Sequence, residues 1–334
     1  MDVHDSSVVA AAQAAGPLHV GIDVAKDRLD LARNDARAVE TFANDAAGIA
    51  RVVAALAAAK PAAVVVEATG GLERPLLEAL LEAGLPVALV HPGRVRSFAR
   101  GLGVLAKTDR IDAAVLARFG QLASPRLADK RSRNQVELRD LVACRRQLVE
   151  SRVQQSNRRA ATASKAALRS IDAVLKALDK QVESLDKQIR DLIDADDDFR
   201  HLDRLLRSVP GVGPTLSGTL AAELPELGRA DRRQVGALAG VAPFNHDSGG
   251  SHGKRAIRGG RSALRCVLYM ATVAAIRFNP IIRTFAQRLE AAGKAGKVVI
   301  VACMRKLLSL LNAMVRDDLT WDQLDVVKKL SPTH

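Results

Sequence analysis

GIDVAK, Gly21 to Lys26, places an aspartate inside a run that otherwise reads as buried β-strand. Asp is depleted in strands, and a carboxylate buried on a sheet is costly unless it is paired or bound to a cation. A local salt bridge, with Lys26 as partner, is the plain reading of Asp23. A second apolar run, AVVVEA (63–68), ends on Glu67. If the two runs are neighbouring strands, both carboxylates converge near one face of a sheet. Around them β-like and helical patterns alternate: HVGIDVA, RLDLAR, a helix near 44–59, AVVVEA, a helix from Leu72, then PVALVHP. That alternation predicts one α/β domain over residues 17–126.

KTDRIDA, Lys107 to Ala113, adds two acids, Asp109 and Asp112. Three residues apart on a helix, they share a face and repel one another. Lys107 and Arg110 could balance them locally. Taken with Asp23 and Glu67, in strand, strand, helix order, the four oxygen donors suit hard divalent cations, which offset the repulsion. Two such ions about 3.5 to 4 Å apart can orient a phosphodiester and stabilise the attacking and leaving oxygens. Lys107 and Arg110 would then point outward, to the phosphates.

The chain carries 50 Lys and Arg against 37 Asp and Glu, a net +13. A polyanion, nucleic acid before membrane, is the expected partner. Aromatics make up 3% and Ala, Leu and Val dominate, which favours helices over β-sandwiches. Cys144, Cys266 and Cys303 are far apart and show no metal-ligand spacing, so neither a disulfide framework nor a zinc site is expected, and a reducing cytoplasm fits. No apolar run is read as approaching the roughly 20 residues that span a bilayer. The start, residues 1–16, lacks a basic n-region and reads as a loose tail, not a signal peptide.

After Arg126 the composition shifts to long helix-forming segments, giving a middle region, 127–200. Leu168, Ile171, Leu175, Leu178, Val182, Leu185, Ile189 and Leu192 follow the alternating spacing of 3 and 4 that makes a coiled-coil seam. An antiparallel hairpin within the chain would use the same seam, although self-association is favoured. Residues 126–169 hold twelve Lys and Arg against four acids. This reads as a phosphate-binding arm around Arg145, Arg146, Arg158 and Arg159.

The last region, 201–334, is mainly helical. RSVPGVGPTLSGTLAAEL (207–224) looks like a helix-hairpin-helix, whose Gly211 and Gly213 would let backbone N–H groups approach a phosphate. A polar, glycine-rich loop follows at 245–260, with Lys254, Arg255, Arg258, Arg261 and, just beyond, Arg265 placed to clamp phosphates. Helices near 281–292 and 297–315 close the chain.

GIDVAK, VVVEATG, KTDRIDA, PGVGPTLSGTLAAEL, the SGG loop, GGRSALRCVLYMA and the closing MRKLL helix together resemble the IS110/IS1111 family of transposases, related to Piv-type DNA invertases. The resemblance spans about residues 20–314. It implies an RNase H-like, RuvC-like first domain whose metal-binding and catalytic DEDD tetrad falls on Asp23, Glu67, Asp109 and Asp112, with two Mg²⁺ ions for which Mn²⁺ substitutes. It implies a serine nucleophile in an AP-x(4)-SGG pattern, here Ser248, with Ser251 as its rival, and a transient phosphoserine link to DNA. It further implies element-end and target DNA as substrates, a structured guide RNA, homo-oligomers (a dimer, or a tetramer in the synapse), no membrane partner, and a bacterial cytoplasm at the nucleoid. A RuvC-like nuclease or DNA invertase without RNA, and a non-catalytic nucleic-acid scaffold, are the alternatives.

Overall fold

The computed structural model describes residues 16–104, 109–128, 130, 132–244, 247–248, 251–252 and 256–324, and of 109–110, 247–248 and 251–252 the backbone alone. The expected tail lies outside them, save Gly16. The chain divides into two compact units, residues 1–130 and 131–334, so the helical middle and the C-terminal region fall together in the second.

The first unit runs β1 (His19–Val24), β2 (Arg28–Arg33), β3 (Val39–Ala43), α1 (Ala46–Ala59), β4 (Ala63–Glu67), α2 (Arg74–Glu82), β5 (Val87–Val90), α3 (Pro92–Gly101) and α4 (Asp109–Ala123). Its sheet has the order β3-β2-β1-β4-β5. The first three strands form an antiparallel meander, and β4 and β5 lie parallel to β1. Parallel neighbours need a crossover, which α1 supplies between β3 and β4. Asp45 starts α1 by accepting from the Gly48 N–H at 2.7 Å.

Both faces of the sheet are covered, which is why β4 reads as continuous valine. Val20, Ile22, Val64 and Val66 pack against Val52, Leu56, Leu76 and Leu80 of α1 and α2. Val65, Ala88 and Val90 face the other way, onto Val95 of α3 and Val115, Leu116 and Phe119 of α4. Each fully buried aliphatic side chain contributes about 1.5–3 kcal/mol. The expected α/β alternation is present, and β3 adds an edge strand that the pattern did not signal, because Phe42 alone of its residues is buried.

The second unit begins with α5 (Arg133–Ala160) and α6 (Lys165–Ala195), an antiparallel hairpin. Ser132 and Ser164 cap the two helices by accepting from the Gln135 and Ala167 N–H groups. The apolar seam of α6 faces α5 of the same chain. Its outer residues, Leu168 to Val182, are half-buried, whereas Leu185 and Ile189 are buried at the base of the hairpin. There Leu138, Ile193, Phe199, Ala221 and Ala222 cluster with Ile189.

Next come α7 (Asp197–Arg207), α8 (Pro214–Glu223), α9 (Arg232–Leu238), the short strands β6 (Pro243–Phe244), β7 (Asp247–Ser248), β8 (Ser251–His252) and β9 (Ala256–Ile257), and then α10 (Ser262–Phe278), α11 (Pro280–Ala291) and α12 (Gly296–Asp317). Asn279, fully buried, caps α11 where the chain bends by 93° after α10. Helix α12 corrects the sequence reading. Its 22 residues are long and apolar enough to cross a bilayer by length and composition. In the structure one side of the helix enters the core: Val299, Cys303, Met304, Leu307, Leu308, Leu311 and Met314 are buried against α7, α9, α10 and α11. An apolar helix that buries one side against four others has the packing of a core helix. Burial first, and then the charge of Glu290, push the Cys303 thiol up to about 11 despite Lys306 nearby, so it stays protonated.

Candidate active site and nucleic-acid contacts

The first unit brings its predicted acids to one end of the sheet. β1 and β4 pair in parallel up to Ile22 and Val66, so Asp23 and Glu67 are the next residue on each. Side chains alternate along a strand, so both stand on the face that Gly21 and Val65 present to α4. That helix lies directly on β1. A Cβ added to Gly21 would fall 2.2 Å from the Ala113 carbonyl oxygen and 2.3 Å from the Ala117 nitrogen. Gly120 sits against Val65 and His19. The helix therefore runs antiparallel to β1, with Gly120 level with His19 and Ala113 to Ala117 level with Gly21. The same progression brings the first turn of α4, Asp109 to Asp112, level with Asp23. Carboxylates in a first helical turn are also favoured by the helix dipole, which offsets part of their repulsion.

Asp23, Glu67 and Asp112 are half-buried. Among the described residues, no three His, Cys, Asp or Glu side chains group as a metal site requires, and the side chain of Asp109 is not one of those described. Two further acids shape this end of the sheet and were not singled out from the sequence. Asp30 lies directly opposite Asp23 in the β1–β2 register and is 4% exposed. Its oxygens accept from the Thr41 hydroxyl at 2.6 Å and the Arg28 Nε at 3.1 Å, which balances its charge beside Asp23. Glu73 organises the loop leaving Glu67. One oxygen accepts from the Thr69 N–H, the Thr69 hydroxyl and the Gly71 N–H at 2.8 to 3.1 Å. Burial works against its charge, but these N–H and O–H donors, with its own N–H, hold its carboxyl below the ordinary value. The signal for it was the ATGGLE turn, where Gly70 and Gly71 take positive φ and one acid can gather the freed donors.

In the second unit the described residues of the glycine-rich segment form two short antiparallel strand pairs, together termed the ribbon. β6 pairs with β9 at its root, and β7 with β8 at its tip. Ser248 pairs with Ser251, and Asp247 with His252. The two candidate nucleophiles are thus cross-strand neighbours. The root is clamped where two segments cross without side chains: a Cβ on Gly240 would meet the Gly259 carbonyl oxygen at 2.2 Å, and one on Gly260 the Gly240 nitrogen at 2.2 Å. The Arg261 N–H donates to the Leu238 carbonyl at 2.8 Å. The Arg261 guanidinium binds Glu226 in a fork, both contacts at 2.8 Å, with that carboxylate mostly buried. Arg265 donates to the carbonyls of Gly259 at 2.7 Å and Gly240 at 3.3 Å.

Arg261 and Arg265, read as phosphate clamps, are therefore engaged within the protein and hold the ribbon's root. Arg258 is exposed. Lys107, Lys254 and Arg255 lie outside the described residues, and Arg110 is described in its backbone alone. In the hairpin, Arg145 pairs with Asp186 at 2.5 Å, Arg146 with Glu150 at 2.7 Å, Arg152 with Asp179, and Arg159 with Asp172 at 2.5 Å. Arg158 is exposed. Gly211, at φ 96°, packs on the α10 backbone, where a Cβ would lie 2.6 Å from the Ala275 Cα, whereas Gly213, which precedes α8, is open. The PGVG turn therefore joins α7 and α8 while seating them against α10.

A mixed five-stranded sheet with acids gathered at one end, followed by a mostly helical remainder, is consistent with a DEDD nuclease-like protein. Residues 20–166 match the DEDD family model of IS110 type, described as a transposase, and residues 203–287 match that of the transposase IS116/IS110/IS902 family. The pilin gene-inverting protein of Moraxella bovis is 30% identical over 320 residues, covering 91% of this chain and 98% of that protein. Its counterpart in Moraxella lacunata is 29% identical over the same length. An uncharacterised 43.6 kDa protein of insertion element IS110 in Streptomyces coelicolor is 31% identical over 118 residues, 35% of this chain and 29% of that protein. The chain belongs to the IS110 family of transposases and their pilin gene-inverting relatives.

Proposed function

We propose that this protein is a DNA recombinase that cuts and rejoins phosphodiesters through a serine nucleophile assisted by divalent metal. The observation that supports this reading is that Asp23 and Glu67 follow the last paired residues of adjacent parallel strands, at the end of the sheet toward which α4 begins. Asp23, Glu67, Asp109 and Asp112 would hold Mg²⁺, or Mn²⁺ in its place; bound there, the ions would neutralise charge on the scissile phosphate. The Ser248 Oγ then bonds to phosphorus as the bond to one sugar oxygen breaks. A strand hydroxyl later reverses the step, so bond energy is kept and no ATP is needed. Arg258, Lys254 and Arg255 approach the DNA backbone. The protein works in the cytoplasm as an oligomer, with a structured RNA choosing its sites, in keeping with a scarcity of aromatic side chains for reading bases directly.

A second reading has its own support. The relative named for gene inversion matches over 98% of its length, whereas the insertion-element proteins match over about a third of this chain. Inversion of a resident segment is then the reaction, without a guide. Ser248→Ala and Ser251→Ala, assayed for protein–DNA adducts that survive denaturation, test the shared chemistry: adducts should vanish with Ser248 alone, and their persistence there would remove the assignment. A substrate carrying two sites in inverted orientation separates inversion from excision, and nucleic acid recovered with the protein tests the guide.

A further inference from the structure

A trough lies between α11 and α12, away from the ribbon. It comprises a cavity of about 450 Å³ floored by Ile281 and Phe285 and a second of about 310 Å³ reaching Leu310. The half-buried Phe285 ring and Lys306 line both and divide them. Arg288 lines the first; Arg232 and Arg305 line the second. The Arg288 guanidinium and the Lys306 ammonium each lie 5.2 Å from the Phe285 ring centre. Among the described residues neither cavity is lined by a carboxylate, and none of these four cations forms a salt bridge.

We propose that this trough binds two successive unpaired nucleotides of a single-stranded polynucleotide, with a phosphate at the Lys306–Arg288 divide. Four cations with no carboxylate partner among the described residues, two of them resting on an aromatic ring, favour polyanionic charge from outside. Duplex phosphates would need the cations but not the apolar floor. Unstacked bases need both: an aromatic or guanidinium plane to stack on and cations along the backbone. Cavities of about 300 Å³ and upward are of ligand size. The proposal rests on the nucleic-acid reading above and adds a strand type and a place for it.

The test uses the full chain and labelled oligonucleotides of about 12 nucleotides, oligo-dT, oligo-rU and a mixed-sequence duplex, with anisotropy measured across salt. In Arg288→Gln/Lys306→Gln the salt slope for single strands should fall by about 0.7, the loss of the one phosphate contact at the divide. Phe285→Leu keeps an apolar side chain and should weaken single-strand binding about 5- to 150-fold, the loss of one stacked base. Loss confined to rU would identify RNA as the source, loss confined to dT would identify DNA, and loss on both supports the shared site. Unchanged single-strand binding, or an equal loss on the duplex, would overturn the proposal. If the unaltered protein binds none of the three probes, it is the broader reading that fails. The double variant removes two partly exposed cations and their contacts with the Phe285 ring but leaves the apolar floor in place, so it stands as the test if Phe285→Leu melts early.

Discussion

The two sets of proposed catalytic groups are held in opposite ways. The acids stand on regular structure: two adjacent parallel strands and a helix pressed so closely onto one of them that a single methyl group at Gly21 would strike its backbone. The serines stand at the tip of a two-stranded ribbon that is fixed at its root, by crossing glycines, the Arg261–Glu226 fork and the carbonyl contacts of Arg265. Rigid elements suit groups that must keep a fixed mutual geometry. A ribbon anchored at one end suits a nucleophile that must reach a strand of DNA and withdraw. The difference implies that damage at the sheet will act on folding, and damage at the ribbon's root on reach.

Gly21→Ala breaks the first arrangement and should have the largest effect. The new Cβ has no flexible side chain to displace, only the α4 backbone, so a loss of about 3 kcal/mol or more is expected. Thermal unfolding of the variant should show it, and an unchanged melting temperature would mean that α4 does not lie on β1. Arg261→Ala comes next. It strips a mostly buried Glu226 of a charged, two-pronged partner, a loss of about 1.5–3 kcal/mol. Adduct formation should fall further than the melting temperature explains, and Arg261→Lys should restore part of it. Equal, proportionate losses would assign the fork to stability alone.

Glu73→Gln sharpens the contrast within the first unit, with a loss of about 1 kcal/mol at neutral pH. Because the Glu73 carboxyl is held below its ordinary 4.5, its stabilisation is fully present above that value and is lost as pH falls through the lowered one. The gap between the melting temperatures of Glu73→Gln and the unaltered chain should therefore close on acidification below about 4.5. A gap of constant size would show that the Glu73 charge is not what the Thr69 and Gly71 donors stabilise.

Much of the first unit was legible because its strands are written in unbroken apolar runs, and an acid inside such a run is conspicuous; Asp23 and Glu67 needed only the β1–β4 register to meet. β3 was not legible, since an edge strand with one buried residue carries little pattern. The ribbon was read as loop because its strands are two residues long. Helix α12 misled in another way: its apolar composition was broken by Arg305 and Lys306, and those two residues turned out to mark a surface. Arg261 and Arg265 looked like free cations because their partners, Glu226 and the Gly240 and Gly259 carbonyls, are brought to them by the fold and not by sequence spacing.

The same lesson gives the smallest effect. The segment richest in basic residues is the α5 arm, yet three of its arginines meet Asp172, Asp179 and Asp186 on α6 and a fourth meets Glu150. Removing one such partly exposed pair, by Arg145→Ala, should cost no more than about 0.2–1 kcal/mol. It should also leave the affinity for duplex DNA nearly unchanged, because a guanidinium already neutralised by a carboxylate releases few counterions when a phosphate arrives. Replacing all three α6 aspartates by asparagine should do the reverse: the helices keep their seam, the arginines lose their partners, and the salt dependence of duplex binding steepens by about 0.9 for each phosphate gained. If Arg145→Ala instead weakens binding and flattens that dependence, the arm's charge faces nucleic acid in spite of its pairing, and the count of basic residues along the sequence would have been the better guide to where DNA lies.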